Sequence, residues 1–289
     1  MDKANILVVD DEQSARIVLK KILSREGHNV ITVESGEQGI RQLRQKRPDL
    51  ILMDIIMPQM DGREVIARMK EREGENMTPY IYLTMDPNQE RQSLEEGADD
   101  YIYKGDLNPD NLNIIRLRVK NTLLVRSMLV NDGLTGLYNH GFFQNALKRH
   151  YMEATQDHQP LSLMIGDIDS FKYLNDSYGH SYGDRMLTEI AQIFSNLVRP
   201  SDIIARYGGE EFSGLLPQTT DMDARNLAER IRSEVEQMTF AGQIGPITMS
   251  FGVASTDSRS YPDDEAFLKA AEDYMYLAKR QGKNRVCGE

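Results

Sequence analysis

The chain has 289 residues, 40% hydrophobic and 27% charged, with a formal net charge of −11. At roughly 100–200 residues per domain this composition predicts a soluble globular chain of about two domains, and its acidic balance argues against nucleic acid, whose partners set basic groups against phosphates. No basic-then-apolar leader and no apolar run near ~18 residues occurs, and the single cysteine, Cys287, cannot form an internal disulfide, so a reducing cytoplasm and no membrane span are expected.

The first part alternates short apolar strands with amphipathic helical stretches. Asn5–Asp10 (NILVVD), Asp49–Asp54 (DLILMD), Tyr80–Thr84 (YIYLT) and Tyr101–Lys104 (YIYK) read as buried strands. Helical patterns lie between them near Glu12–Glu26, Glu37–Lys46, Gly62–Glu73 and Asn88–Glu96. The alternation predicts an α/β unit, a doubly wound parallel sheet with helices on both faces. Ligands of such sheets gather at the carboxyl ends of the strands. Asp10 and Asp11 end the first strand, Asp54 the third, Thr84 the fourth and Lys104 the fifth. Three crowded carboxylates call for a divalent cation, and hard oxygen ligands suit Mg²⁺. Asp54 can attack phosphorus, with Thr84 donating to the new phosphate and Lys104 pairing with it. Each residue alone reads equally as a helix cap or a solvated strand end; their convergence on one edge favours a site.

A long helix follows, from near Pro109 to about Asn131; proline suits a first helical turn. Ile114, Leu117, Asn121, Leu124 and Met128 recur in alternating three- and four-residue steps. That is a short coiled-coil seam, in which Asn121 would fix register. The same period also suits an amphipathic helix packed on its own domain. Asn131–Leu137 (NDGLTGL) then breaks the helix with turn residues.

From Asp132 onward helices and strands mix. LSLMIGDID is a strand ending in acids, SDIIARYGGEEFSGLLP reads as strand, glycine turn, strand, and ITMSFGVAS as a further strand. Helices flank them near Phe142–Thr155, Gly183–Val198, Asp221–Met238 and Asp263–Gln281. Alone, RYGGEEF is a hairpin with a solvated acidic tip. Beside the strand that ends at Asp167, however, Glu210 would face Asp167 with the Ile168 carbonyl close by, an oxygen set of the kind Mg²⁺ takes. Gly208 and Gly209 would then let phosphates approach the backbone. Lys172, Lys279 and Lys283 offer point charges to phosphate, although single lysines are mostly solvated. Asn175 and Asp184 are candidates for reading a base, since a carboxylate accepts from guanine N1–H and the 2-amino group, and adenine offers neither. Asp184 equally suits an N-cap, and Arg199–Asp202 (RPSD) has a helix stop as its plainer reading.

Residues 1 to about 120 resemble a response-regulator receiver domain on the motifs VVDDE, LILMDIIMPQMDG, LTM and DYIYKG. The resemblance implies a flavodoxin-like fold, Asp54 as phospho-acceptor, and Mg²⁺ or Mn²⁺ held by Asp10, Asp11 and Asp54. It further implies Thr84, Tyr101 and Lys104 as the phosphoryl-sensing switch, and a histidine kinase as partner. Gly105 stands where the family has a proline after the lysine, in a cis peptide. A non-proline cis bond costs ~2.5–4 kcal/mol, so a trans, rearranged loop is expected.

Residues 132–289 resemble the GGDEF family of diguanylate cyclases, in its GGEEF form, on DGLTGLYN, DIDSFKYLNDSYGHSYGD, RYGGEEF, SFGVA and AKRQGKNRV. The implied fold is α+β, nucleotidyl-cyclase-like (ferredoxin- or palm-like), with a central, mostly antiparallel sheet. The implied chemistry condenses two GTP into cyclic di-GMP and two pyrophosphates. In it Asp167, the Ile168 carbonyl and Glu210 bind Mg²⁺ or Mn²⁺, and Glu211 helps deprotonate the attacking 3′-hydroxyl. Asn175 and Asp184 hold guanine, Lys279 and Lys283 meet the phosphates, and Phe171 and Lys172 line the same pocket. Lys283 replaces a common arginine, keeping the charge but losing the bidentate fork. Arg199 and Asp202 match the product-inhibition pair, with Arg206 assisting. One copy holds one GTP, so two copies must face each other, and the helix at 109–131 becomes the connector of a homodimer. The rival readings are a nucleotide receptor with an inactive site and a scaffold whose second domain only dimerises. Intact Asp167, Glu210, Glu211, Asn175 and Asp184 argue against the receptor.

Overall fold

The computed structural model describes residues 3–45, 47–73, 78–108, 111–239 and 246–289. The chain divides into two compact units, Met1–Leu129 and Val130–Glu289.

In the first unit five parallel strands lie in the order β2-β1-β3-β4-β5: β1 (Asn5–Val9), β2 (Asn29–Val33), β3 (Leu50–Asp54), β4 (Tyr80–Thr84) and β5 (Asp100–Tyr103). Helices α1 (Gln13–Arg25), α2 (Gly36–Gln45), α3 (Gly62–Glu73) and α4 (Glu90–Glu95) connect them, and α5 (Leu112–Val130) follows. The inner strands β1, β3 and β4 are near-continuous apolar runs because both faces are covered. Side chains alternate along each strand, so Ile6, Val8, Leu50, Leu52, Ile81 and Leu83 pack with Leu19 and Leu23 of α1 and Ile115 and Val119 of α5. Leu7, Val9, Ile51, Met53, Tyr80 and Tyr82 face the other way, toward Val65, Ile66 and Met69 of α3. The sequence located every strand but β2, an edge strand only partly buried. The helix expected near Asn88 opens instead as a 3₁₀ turn, Pro87–Gln89, capped by Asp86, whose side chain accepts from the Asn88 N–H. Pro109 and Lys46, expected at helix ends, lie outside the described residues.

Along α5, Ile115, Val119 and Thr122 are buried. Ile114, Leu117, Asn121, Leu124 and Met128 are all exposed. The helix thus packs on its own unit with one face and leaves the predicted seam outside. Among the described residues no helix is long and apolar enough to cross a membrane.

The second unit holds α6 (His140–Asp157), β6 (Leu161–Ile168), α7 (Phe171–Tyr178), α8 (His180–Leu197), β7 (Ile203–Arg206), β8 (Glu211–Pro217), α9 (Asp221–Gln237), β9 (Met249–Ser255), α10 (Asp264–Arg280) and β10 (Val286–Cys287). Its sheet order is β10-β9-β6-β8-β7, antiparallel except where β10 runs parallel to β9. Central β6 is buried along its whole length. Met164 and Ile168 pack toward α8 and α9, and Leu161, Leu163 and Ile165 toward α6 and α10. The short α7 and β10 were not anticipated from sequence, since eight and two residues carry too little periodicity.

Helix α10 lies so close to β9 that a Cβ at Gly252 would sit 2.0 Å from the Ala271 carbonyl oxygen and 2.1 Å from the Met275 nitrogen. Backbone cannot yield as a side-chain tip does, so overpacking here exceeds the usual ~1–3 kcal/mol. Gly252→Ala is therefore expected to lose at least ~3 kcal/mol of stability, read from denaturant unfolding, while the first unit melts unchanged.

Candidate functional site

The parallel sheet of the first unit delivers Asp10, Asp11 and Asp54 to one edge, and their carboxylate oxygens lie within 4.8 Å of one another. Asp10 and Asp54 are buried and Asp11 is exposed. Lys104 enters just after β5, in a 3₁₀ turn, with Nζ 2.6 Å from Asp54 Oδ2 and 2.9 Å from Asp10 Oδ2. Burial pushes the Asp54 carboxyl up to about 7; the Lys104 hydrogen bond opposes this and the charge of Asp10 adds to it. Burial also raises Asp10. A crowded, buried carboxylate group with one lysine remains short of positive charge, which fits a divalent cation coordinated by oxygen.

Thr84 Oγ1 donates toward Gln89 Oε1 at 3.2 Å and accepts from the Asp86 N–H at 3.0 Å. Tyr101 lies with Arg118 of α5 over its ring, 4.7 Å from the centroid, and Arg118 also pairs with Asp100. The Lys104–Gly105 peptide is trans, and no cis peptide occurs among the described residues. The lysine nonetheless reaches the acids.

In the second unit Asp167 stands near the end of β6, 4% exposed. The sequence reading set Glu210 across from it. The register differs: Asp167 is opposite Glu211 and Ser250, and the Ile168 N–H donates to the Glu210 carbonyl at 3.3 Å. The two glycines and Glu210 form the turn itself, so counting along the hairpin from β8 puts Glu211 at the pairing position. Residues directly opposite in an antiparallel ladder point to the same face. Burial and then the charge of Asp167 raise both Glu210 and Glu211 above the ordinary glutamate value. Burial likewise raises Asp167, and Lys279 opposes it from 2.7 Å away at Oδ1. That buried oxygen has no well-aligned hydrogen-bond donor, so a cation bound by oxygen fits here too. Asp167, Glu210 and the Ile168 carbonyl are the groups that would hold it.

The other predicted residues surround this edge. Phe171, at the start of α7, is 7% exposed, its ring packed in the core beside α8. Lys172 is exposed. Lys283 Nζ donates to Ser170 Oγ at 2.7 Å. Asn175 Oδ1 is buried without a hydrogen-bond donor. Gly183 makes room for it, since a Cβ there would lie 2.0 Å from that oxygen. Asp184 is exposed within α8, whose N-cap is Gly179, so Asp184 is not a cap. Gly209 borders open space, and Gly208 lies under the Glu211 carboxylate.

At the end of α8, the Asp202 carboxylate accepts from the Arg199 N–H at 2.8 Å and from Ser201 Oγ at 3.3 Å; the Arg199 side chain is exposed. Arg206, expected to assist there, is engaged elsewhere. Its Nη2 donates to the Gly209 carbonyl at 2.7 Å and its Nη1 to Asp132 at 3.2 Å. The arginine therefore ties the glycine turn to Asp132, two residues past α5. Sequence reasoning missed Asp132, which looked like turn chemistry, and Asp169. The latter is 7% exposed and accepts from Thr248 Oγ1 and Ser250 Oγ, each at 2.7 Å. Only its spacing of two from Asp167 hinted at a role.

Two protein families match the chain. Residues 6–115 match the response regulator receiver domain family and residues 129–285 the family described as diguanylate cyclase, GGDEF domain. Response regulator PleD of Caulobacter vibrioides is 31% identical over 302 residues, covering 98% of this chain and 65% of PleD. Diguanylate cyclase DosC of Escherichia coli is 35% identical over 199 residues, covering 62% of this chain and 43% of DosC. The chain thus spans less than two thirds of the length of either relative. The crystal structure of the coiled coil and GGDEF domain of DgcB from Caulobacter crescentus, in complex with c-di-GMP, aligns with a TM-score of 0.56 at 30% identity, over 64% of this chain and 98% of that one.

The buried acid at the end of β3 carries a pH signature. A carboxyl raised from 3.8 to about 7 keeps its proton to higher pH in the fold than in the unfolded chain. The stability this gives is complete below the unfolded value and lost as pH rises through the folded one. In chelator, Asp54→Asn is expected to melt a few degrees above wild type at pH 8, with the gap shrinking as pH falls through 7 and closing only below about pH 4. Added Mg²⁺ should raise the melting transition of the first unit in wild type and leave that transition almost unmoved in the variant, as differential scanning calorimetry would show.

Proposed function

The chain belongs to the GGDEF family, its GGDEF domain following a response-regulator receiver domain, and from this we propose that it is a phosphorylation-regulated diguanylate cyclase working as a homodimer. The observation that carries the reading is the strand edge where buried Asp167 lies opposite Glu211 with Lys279 beside it. Asp167, Glu210 and the Ile168 carbonyl would hold Mg²⁺ or Mn²⁺, which neutralises triphosphate charge and acidifies the attacking hydroxyl when bound. Glu211, raised by burial and by Asp167, is suited to take the 3′-hydroxyl proton, since a base works best with a pKa brought toward the working pH. Lys279 and Lys283 meet the phosphates as point charges. Lys172 and the backbone at Phe171 lie beside them at the start of α7, and Gly209 leaves the backbone approachable. Asn175 and Asp184 read guanine, Asn175 through an acceptor that has no internal donor. Each nucleotide offers its 3′-hydroxyl to the α-phosphate of the other, so two GGDEF domains must face each other.

In the first unit a histidine kinase would phosphorylate Asp54, with Asp10 and Asp11 completing the metal site and Lys104 and Thr84 receiving the phosphoryl oxygens. Phosphorylation adds roughly −1.5 to −2 charge, and Lys104 would have to be shared between the phosphoryl group and Asp10. Tyr101 lies under Arg118, a residue of α5, so a movement of the aromatic switch acts on the helix whose exposed seam would bring two chains together. Arg199 and Asp202 form a compact turn that presents the arginine to solvent, which suits a product-inhibition site reading guanine O6 and N7. A cytoplasmic location follows from this two-component role.

Purified protein given GTP and Mg²⁺, with and without beryllium fluoride at Asp54, is expected to make cyclic di-GMP, faster with the phosphoryl mimic. Binding without turnover would mean a receptor, and neither a scaffold. Asp184→Ser should narrow the preference for GTP over ATP by at least about tenfold; an unchanged ratio removes Asp184 from base recognition. Leu124→Lys with Met128→Lys places charge on the seam without touching the buried face of α5. Sedimentation should then show monomers, with cyclase turnover down at least about tenfold.

A further inference from the structure

The turn between α10 and β10 is held in a backbone conformation that side chains rarely adopt. Gly282, Lys283 and Asn284 have φ of +114°, +64° and +47°. Two of the three are not glycine, and a run of left-handed residues persists only when its surroundings fix it. What fixes it converges on Asn284. Its N–H donates to Asp169 Oδ2 at 3.0 Å, and its Nδ2 donates to Glu236 Oε1 at 2.8 Å. Its Oδ1 accepts from Arg232 Nη1 at 2.6 Å. Arg232 and Glu236 are themselves paired across one turn of α9 at 2.8 Å. Asp169 is buried and anchored to Thr248 and Ser250. A hydrogen bond to a charged partner is stronger than a neutral one, and each bond of Asn284 has such a partner.

The residue next to this anchor is Lys283, and the residue next to Asp169 is Ser170, which accepts from Lys283 Nζ. Asp169 lies two residues beyond Asp167. One network thus fixes the carboxylate end of β6 and the lysine turn to a common frame, with α9 as its third support. We infer that Asn284, through Asp169, Arg232 and Glu236, is the positioning residue that holds Lys283 over the end of β6 to receive the triphosphate. The inference rests on the GTP-using reading above. Asn284 itself touches no reacting atom; it acts through the lysine.

The role has a signature that general destabilisation lacks. Loss of Asn284 should weaken contact with the phosphates and spare the base. In Asn284→Ala, affinity for a nonhydrolysable GTP analogue is expected to fall roughly tenfold by calorimetry, while affinity for GMP stays within about twofold of wild type. Asn284→Gly tolerates the left-handed backbone but lacks the side-chain bonds. It should fold and show the same selective loss, which keeps the test valid if the alanine variant unfolds. In a double-mutant cycle with Lys283→Ala, adding Asn284→Gly should lower analogue affinity little further. Equal losses for GMP and the analogue, or additive losses in the cycle, would overturn the positioning role and leave the cyclase reading standing. A wild-type protein that binds no guanine nucleotide would overturn both.

Discussion

An aspartate buried at the carboxyl end of a strand is stable as an anion only if a cation lies against it, and each unit of this chain is arranged around such a group. In the first, Asp54 meets Lys104 at 2.6 Å; in the second, Asp167 meets Lys279 at 2.7 Å. Each lysine arrives from a segment far along the chain, just after β5 in one case and at the end of α10 in the other. Neither lysine fully offsets the burial, for both aspartates stay above their ordinary value. Two unrelated sheets, one parallel and one mostly antiparallel, thereby build the same electrostatic object: a desolvated carboxylate edge with room for more positive charge.

The supporting structure follows from that need. The parallel sheet is covered on both faces, so its polar groups emerge only at strand ends, and there Asp10, Asp54 and Lys104 collect. In the second sheet, β6 is central and, apart from Ser162, carries no polar side chain until Asp167. Beyond it the chain must turn, and the polar groups it exposes are satisfied by Ser250, Thr248 and the left-handed turn at Asn284. The glycine hairpin is held in place as well, by Arg206 between the Gly209 carbonyl and Asp132. The hairpin, which alone reads as a turn with a solvated acidic tip, is tied to Asp132 through Arg206.

Helix α5 carries two patterns on one set of residues. Ile115, Val119 and Thr122 satisfy the first unit, and Ile114, Leu117, Asn121, Leu124 and Met128 form a separate exposed row. Of the alternatives that periodicity left open, the packed amphipathic helix is realised on one face, and the row read as a seam lies exposed on another. A nineteen-residue helix with apolar groups on two sides shows only a weak one-sided pattern, which is why spacing alone did not separate them.

Sequence by itself determined the two-unit division, most strands and long helices, and the identity of the acids and lysines, because burial and charge are properties of residue type and short-range period. Asp10, Asp54 and Lys104 were legible as a group because a parallel sheet sends every strand end to one edge, whatever the register. The antiparallel unit offers no such guarantee. Only the tertiary structure decided that Glu211 rather than Glu210 lies opposite Asp167, since a hairpin register depends on where the turn closes. It decided too that Arg206 clamps the turn, that Phe171 belongs to the core, and that Asn284 joins α9 to the end of β6. Those pairings link residues up to 115 positions apart. No local pattern encodes them, for they exist only once the sheet has brought its edges together.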